Sequence, residues 1–388
     1  MINNQNIFSV RPLIEKIALG LVLLLSLTVF LPYQVTASAT VALSLLFLLL
    51  KGVREHVFKR RGIFFGLGFL ALTATVALIC GNYVGFRRTL VFAALLGVAT
   101  VVRALADRSF FEKLMNTFVL GGCLATVHCI IEFVLNRNVE GYRCQGFFTN
   151  PNFFGTALTF VILICAYKAS THANKVWIYY AAAIFNAVGL YLCGSMSLWL
   201  VAAVCIIIML ILHREFKLLA IFLSVVGLAV VALLAIPGLI HRLGELSETI
   251  DNRIKIWSFA IDSFKDAPLF GRGFYTYKFL YSQLPQPTDV YRASMSHSIY
   301  LDSLLCHGII GTVAAVVAFG SYFKSLFSCR YALKKQGQPS PITGFIIALS
   351  VALALYGLMD TTFIWIQTGF IVVMIAAGLG VEEKSLKE

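Results

Sequence analysis

Of the chain's 388 residues, 59% are apolar and only 13% are charged, against roughly 25% charged in soluble domains, which excludes an ordinary water-soluble enzyme. The formal net charge of +13 would suggest an anionic partner, but for a membrane protein the distribution of charge says more than its sum. Nine cysteines are scattered through mostly apolar sequence with no C-x-x-C pair, so neither a metal site nor a disulfide framework is indicated.

A hydrocarbon core about 30 Å thick takes about 20 residues of helix. On that scale twelve apolar runs are candidate spans, at roughly 13–31, 35–50, 62–80, 86–102, 114–135, 153–169, 176–193, 197–212, 217–236, 297–320, 342–357 and 361–380. The first run reads as a retained helix, because no small-residue cleavage site follows it. The predicted fold is all-α: a polytopic membrane protein of about twelve transmembrane helices, one membrane domain over residues 1–388. A long, partly helical loop, 237–296, is inserted between spans nine and ten.

With twelve spans and an inside N-terminus, most basic residues fall on the inner side, among them Arg11, Lys51, Arg60, Arg103, Lys175, Lys217 and Lys334. The short outer loops hold only Arg87, Arg88, Arg137 and Arg143. That asymmetry follows the positive-inside rule and places both termini inside and the long loop outside. Arg87, Arg88 and Arg143 go against the bias. Arginine near hydrocarbon is costly unless it snorkels or is paired, so these are candidate functional residues.

Three segments carry candidate chemistry. In the first, Tyr142-Arg143-Cys144-Gln145-Gly146 leads to Asn150-Pro151-Asn152. The Asn-Pro-Asn turn opens the next helix, and free N–H groups at a helix start beside Arg143 would suit a phosphate oxygen. Turn chemistry alone also explains Asn150 and Asn152. In the second, Asp251 or Asn252 is placed to cap an amphipathic helix that could lie on the membrane surface. Ile254, Trp257, Ile261 and Phe264 share one of its faces, and Arg253 stands at its start. Pro268 and Gly271-Arg272-Gly273 then break it, and Arg292 follows. In the third, His297-Ser298 sits at the outer end of a span, with Gly308 and Gly311 expected to let a neighbouring helix approach closely. A lone histidine is more often a satisfied polar group than a catalyst; the flanking arginines favour function here. No paired carboxylates for a divalent ion, H-E-x-x-H, G-x-S-x-G or P-loop is present, so metal-dependent hydrolysis and ATP-driven transport lose support, and no cofactor is expected.

Together, Arg143-x-x-Gly146 leading to Asn150-Pro151-Asn152, Arg253-x-x-x-Trp257 leading to Ala267-Pro268-Leu269-Phe270-Gly271-Arg272-Gly273, and His297-Ser298 with Gly308 and Gly311 resemble the O-antigen ligase/polymerase superfamily. These membrane enzymes are similar in architecture to C-type glycosyltransferases. The likeness covers the second half of the chain well and the first 130 residues only by topology. One departure is Ser195-Met196-Ser197, where many members carry Ser-Arg; Arg87 or Arg88 are possible substitutes.

The resemblance implies a glycosyltransferase of the bacterial inner membrane, working on the periplasmic side without metal and with inversion. Its partners would be a glycan donor on polyprenyl (undecaprenyl) diphosphate, a lipid A-core acceptor in lipopolysaccharide biosynthesis, and membrane lipids, with no nucleic acid. His297 is expected as general base, since an imidazole with an ordinary pKa of about 6.5 takes up protons near neutrality. Arg143 and Arg253 would neutralise the departing diphosphate. Arg87, Arg88, Asn150, Asn152, Trp257, Arg272, Arg292 and Ser298 are the expected substrate contacts. The nearest alternative is an O-antigen or capsule polymerase that extends a second polyprenyl-linked glycan. A lipid-linked oligosaccharide flippase is less favoured, because polar residues gather on one side and the spans are nearly free of central charge apart from Glu132 near an outer end, Asp302 and Asp360.

Overall fold

The computed structural model describes residues 13–59, 61–171, 176–235, 246–286, 288, 290 and 292–387, without the side chains of 61, 229, 232–235, 246–249 and 363. Arg11, Arg60, Lys175, Arg242 and the opening of the expected loop, 237–245, lie outside the described residues or side chains. The described residues form helices and no strand. In chain order these are α1 (Leu13–Leu27), α2 (Tyr33–Leu49), α3 (Lys51–Phe58), α4 (Arg61–Ile79), α5 (Tyr83–Leu105) and α6 (Arg108–Leu135). Next come α7 (Pro151–Thr171), α8 (Val176–Cys193), α9 (Met196–His213), α10 (Phe216–Ala235) and α11 (Leu246–Lys265). The chain closes with α12 (Thr276–Tyr281), α13 (Ile299–Lys335), α14 (Pro341–Tyr356), α15 (Ile366–Ala377) and α16 (Leu379–Ser385).

Among the described residues nine helical segments are long and apolar enough to cross a membrane, or ten if α2 and α3, bent by 99°, count as one broken span. The other two expected spans fall on α10 and α14, whose apolar stretches Phe216–Leu228 and Pro341–Tyr356 are shorter. The bend after α2 has a local cause. Leu50 turns extended (φ −82°, ψ 101°), and α3 buries Val53 and Val57 while Lys51, Arg54 and Glu55 stay exposed. That is the pattern of a helix lying along an interface.

Helix α7 is the centre of the bundle, with 89% of its apolar stretch buried, against 17% for α4. It packs on α8, α9, α6 and α15. Around this core Leu24, Ile184, Leu228 and Val316 point outward and stand exposed. A continuous apolar exterior of this kind suits lipid and would be unstable in water.

Three expectations about helix limits and faces need correction. The run at 361–380 is not helical from its start: the chain from Gly357 to Trp365 is a loop with one 3-10 turn (Thr362–Ile364), and α15 begins only at Ile366. Helix α11 begins upstream at Leu246, so Asp251 and Asn252 lie inside it and do not cap it. Its buried side carries Ile256, Ala260 and Ser263, with Trp257 and Phe264 half-buried, whereas Ile254 and Ile261 are exposed. The helix turned its small and aromatic residues toward Tyr277 and Leu305.

Gly308 does something other than admit a helix. With φ 62° and ψ −169° it breaks α13, which frees backbone groups that another segment must satisfy. The loop 267–273 supplies the partners: Ile309 N donates to Pro268 O at 2.8 Å, Ile310 N to Leu269 O at 3.1 Å, and Gly273 N to Cys306 O at 2.8 Å. A Cβ on Gly308 would stand 2.3 Å from the Leu269 carbonyl carbon, and one on Gly271 2.4 Å from that of Cys306. Both glycines are therefore required by backbone-to-backbone contact. A Cβ on Gly311 would meet His307, across the Gly308 break, at 2.6 Å and Phe69 of the neighbouring α4 at 3.6 Å.

Candidate functional site

The ends of many helices meet around the loop 357–365 at one end of the bundle. Ile299 N, at the start of α13, donates to Gly357 O at 2.8 Å. Gln367 of α15 donates to Val29 O at 3.0 Å and Leu31 O at 2.6 Å. From the α4–α5 turn, Asn82 donates to Arg272 O and Phe274 O, both at 2.9 Å.

His297 lies in this region with φ 54°, a left-handed conformation that costs a non-glycine residue about 1–3 kcal/mol and persists only where its surroundings fix it. Several contacts do so. Ser296 N donates to Asp302 Oδ1 at 3.2 Å, and Ser296 Oγ to Ser298 O at 2.9 Å. Arg253 Nη1, reaching over from α11, donates to His297 O at 3.2 Å and also to Met359 O.

The imidazole Nδ1 is 3.1 Å from Asp360 Oδ1, with side-chain exposures of 27% for His297 and 5% for Asp360. Burial pushes the Asp360 carboxyl up. The hydrogen bond and charge of His297, the charge of Arg253 and the Thr361 N–H (2.7 Å) outweigh it and hold the group below the usual carboxylate range. An ionised carboxylate only accepts, so Nδ1 carries a proton toward Asp360. Asp360 was missed as a site residue in the sequence because it abuts an apolar run. The polar Asp360-Thr361-Thr362 between two such runs was the available signal.

Arg143 joins the same region by another route. Its Nε donates to Cys193 O at 2.8 Å and its Nη2 to Asn152 Oδ1 at 2.6 Å. One turn along α7, Thr156 Oγ1 is 2.6 Å from Thr362 Oγ1, two residues beyond Asp360. Arg143, Asn152, Thr156, Thr362, Asp360, His297 and Arg253 are thus linked through adjoining backbone and hydrogen bonds. Glu132 shapes the Arg143 loop by accepting from Tyr142 Oη (2.6 Å), Gln145 N (3.1 Å) and Gly146 N (2.8 Å). This hydrogen bond, the largest cause, pushes the Tyr142 hydroxyl up to about 12. At the start of α7, Asn150 Oδ1 accepts from Asn152 N at 2.8 Å, so that first-turn N–H is already capped and not open to a ligand.

The remaining expected contacts divide. Arg88 is clamped with its guanidinium 4.1 Å from the Trp365 ring centroid and 4.8 Å from that of Tyr275, and it donates to Tyr275 Oη at 2.7 Å. Trp365 also stacks on Phe153, 4.6 Å between centroids, so Arg88 borders the same loop as Asp360. Arg87 and Arg292 are exposed. Arg272 donates to Ser263 O at 2.8 Å and lies 3.8 Å from Asp266, which ties it to its own loop. Trp257 packs in the cluster under α11, with a buried Nε1 that has no hydrogen-bond partner among the described residues. Ser298 is buried, its carbonyl accepting from Asp302 N at 2.8 Å. Beside Ser195-Met196-Ser197, the guanidinium at hand is Arg143 through Cys193 O, while Arg88 is tied to Trp365 and Tyr275. Among the described residues no three His, Cys, Asp or Glu side chains are grouped to hold a metal ion.

An all-helical, lipid-facing bundle with a His–Asp pair and arginines at one end defines a polytopic membrane protein with a polar site at the mouth of its helices. Residues 181–316 match the family model described as O-antigen ligase. That stretch includes Arg253, Trp257, Arg272, Arg292, His297 and Ser298, while Arg143 and Asp360 fall outside it. No curated protein matches the chain.

Proposed function

We propose that the protein is an O-antigen ligase that moves a glycan from polyprenyl diphosphate to a sugar hydroxyl of lipid A-core, with inversion and without metal. The observation that carries this reading is the His297–Asp360 pair, 3.1 Å apart, beneath Arg253. In this mechanism Nε2 of His297 takes the proton of the acceptor hydroxyl as its oxygen attacks the anomeric carbon. The bond from that carbon to the diphosphate oxygen breaks, and the electron pair leaves with the diphosphate. Asp360 stabilises the imidazolium formed, as a buried carboxylate does for a histidine base. Arg143, Arg253 and Arg88 spread the charge growing on the leaving group over fixed guanidinium groups. Asn152 holds Arg143 in place. In this reading twelve helices cross the inner membrane, both termini are cytoplasmic, and the His297 end faces the periplasm.

The test is reconstitution with a polyprenyl-diphosphate glycan, offered with lipid A-core or with a second copy of the donor. Product on lipid A-core that survives chelation is expected. A lengthened donor would instead make the protein a polymerase, and donor moved between leaflets with no product would make it a flippase. Arg143→Ala and Arg253→Ala are expected to weaken donor retention and transfer together.

A further inference from the structure

The far end of the bundle holds a cavity of about 610 Å³ that the proposed transfer does not use. Helix α5 begins near Arg88 and carries Ala104 of the cavity wall close to its other end. Its 23 residues rise about 34 Å, so the cavity and His297 are separated by roughly a membrane thickness. His56 and Lys59 approach from the α3 side, and Glu383, Lys384 and Lys387 from α16 and the turn after it.

The charges around this cavity do not cancel. The Glu383 carboxylate is engaged by Arg103 at 2.5 Å and Ser325 at 3.1 Å. His56 faces Glu15 at 3.2 Å. Lys384 is anchored on Ala106 O at 2.8 Å, while Lys59 and Lys387 are exposed at the rim. A positive excess therefore surrounds a pocket whose wall also includes apolar Ala104 and Leu386. Beside it α3 is bent 99° from α2, with Leu49 at the end of α2 and Phe58 at the end of α3 both exposed. Cations above an apolar wall, at the depth of the headgroups, match an amphiphile with an anionic head. A soluble anion would have no use for the apolar part.

We propose that this cavity binds the phosphate headgroup of an anionic phospholipid in the leaflet opposite the chemistry. Basic pockets between helices are the form such recognition takes. The site concerns lipid retention and stands or falls independently of the transfer reaction.

The experiment is native mass spectrometry of the full-length protein released from nanodiscs of phosphatidylglycerol or of phosphatidylcholine. One phosphatidylglycerol per chain is expected to survive release, and phosphatidylcholine is not. Affinity should fall about fivefold per lysine removed in Lys59→Gln and in the Lys59→Gln/Lys387→Gln double variant, whose exposed positions leave the core untouched. Ala104→Trp, which fills the cavity without altering charge, should have the same effect. Lys278→Gln, an exposed lysine of α12, should change nothing. Unchanged phosphatidylglycerol retention by the double variant, equal retention of phosphatidylcholine, or displacement of the lipid by millimolar inorganic phosphate would each overturn the proposal.

Discussion

The two ends of the bundle both bury ionisable groups, and they treat them differently. Away from His297, Lys168 is buried in an ion pair with Glu112, whose carboxylate also accepts from Tyr167 at 3.2 Å and faces Arg108 at 3.1 Å. Nearby, Glu382 caps the start of α14 by accepting from Ile342 N at 2.7 Å and Thr343 N at 3.0 Å. Arg330 donates to Leu212 O and Ser340 O, both at 2.9 Å. There the charges close helix ends against one another. At the other end His297 has one ring nitrogen committed to Asp360, is 27% exposed and sits on strained backbone. An ionisable group whose partners are all protein is a staple; one held on a single face is available for chemistry.

Substitutions at the two ends should separate these roles. His297→Ala should lower transfer by about 10²–10⁴-fold with the fold and donor retention intact. Near-normal transfer by well-folded protein would end the comparison. Glu112→Ala should do the reverse, stranding buried Lys168 at a cost of about 3–5 kcal/mol. Denaturation in detergent reads that loss, and transfer per folded molecule should be unchanged.

Asp360→Asn falls between. In the proposed mechanism Asp360 orients His297 and stabilises its protonated form, so its loss should cost about 10²-fold in rate, with little change in melting. The pH profile sharpens this. Because the native Asp360 carboxyl is held low, its contribution is complete above the ordinary value of about 3.9 and fades only as pH falls through the lower one. Loss of activity between pH 7 and 5 therefore belongs to another group and should persist in the residual activity of the variant. The smallest effect is expected at Arg272→Ala, where the hydrogen bond to Ser263 O is worth about 1 kcal/mol and transfer should stay near normal.

Part of this site was legible in the chain. Arg143, Arg253 and His297 stood out because each interrupts apolar sequence with a polar motif, and the structure links them by adjoining hydrogen bonds. The role of Gly308 was not legible. Glycine spacing on a helix suggests close helix packing, whereas here it marks a break that only the docking of Pro268 and Leu269 makes tolerable. The buried face of α11 was misassigned because Ile254 and Ile261 are as apolar as Ile256. Which of them turns inward depends on Tyr277 and Leu305, residues from other elements.

Composition and the lengths of the apolar runs determined by themselves that this chain is helical and lipid-embedded, since in hydrocarbon a backbone must satisfy its hydrogen bonds within each segment. They also fixed where most of the helices lie. Tertiary structure alone decided that the loop 357–365 brings Asp360 to His297, 63 residues away along the chain. That pairing arises from packing of α7, α13, α14 and α15 and leaves no periodicity in the sequence. Local forces set the helices, and contact between their ends set the candidate site.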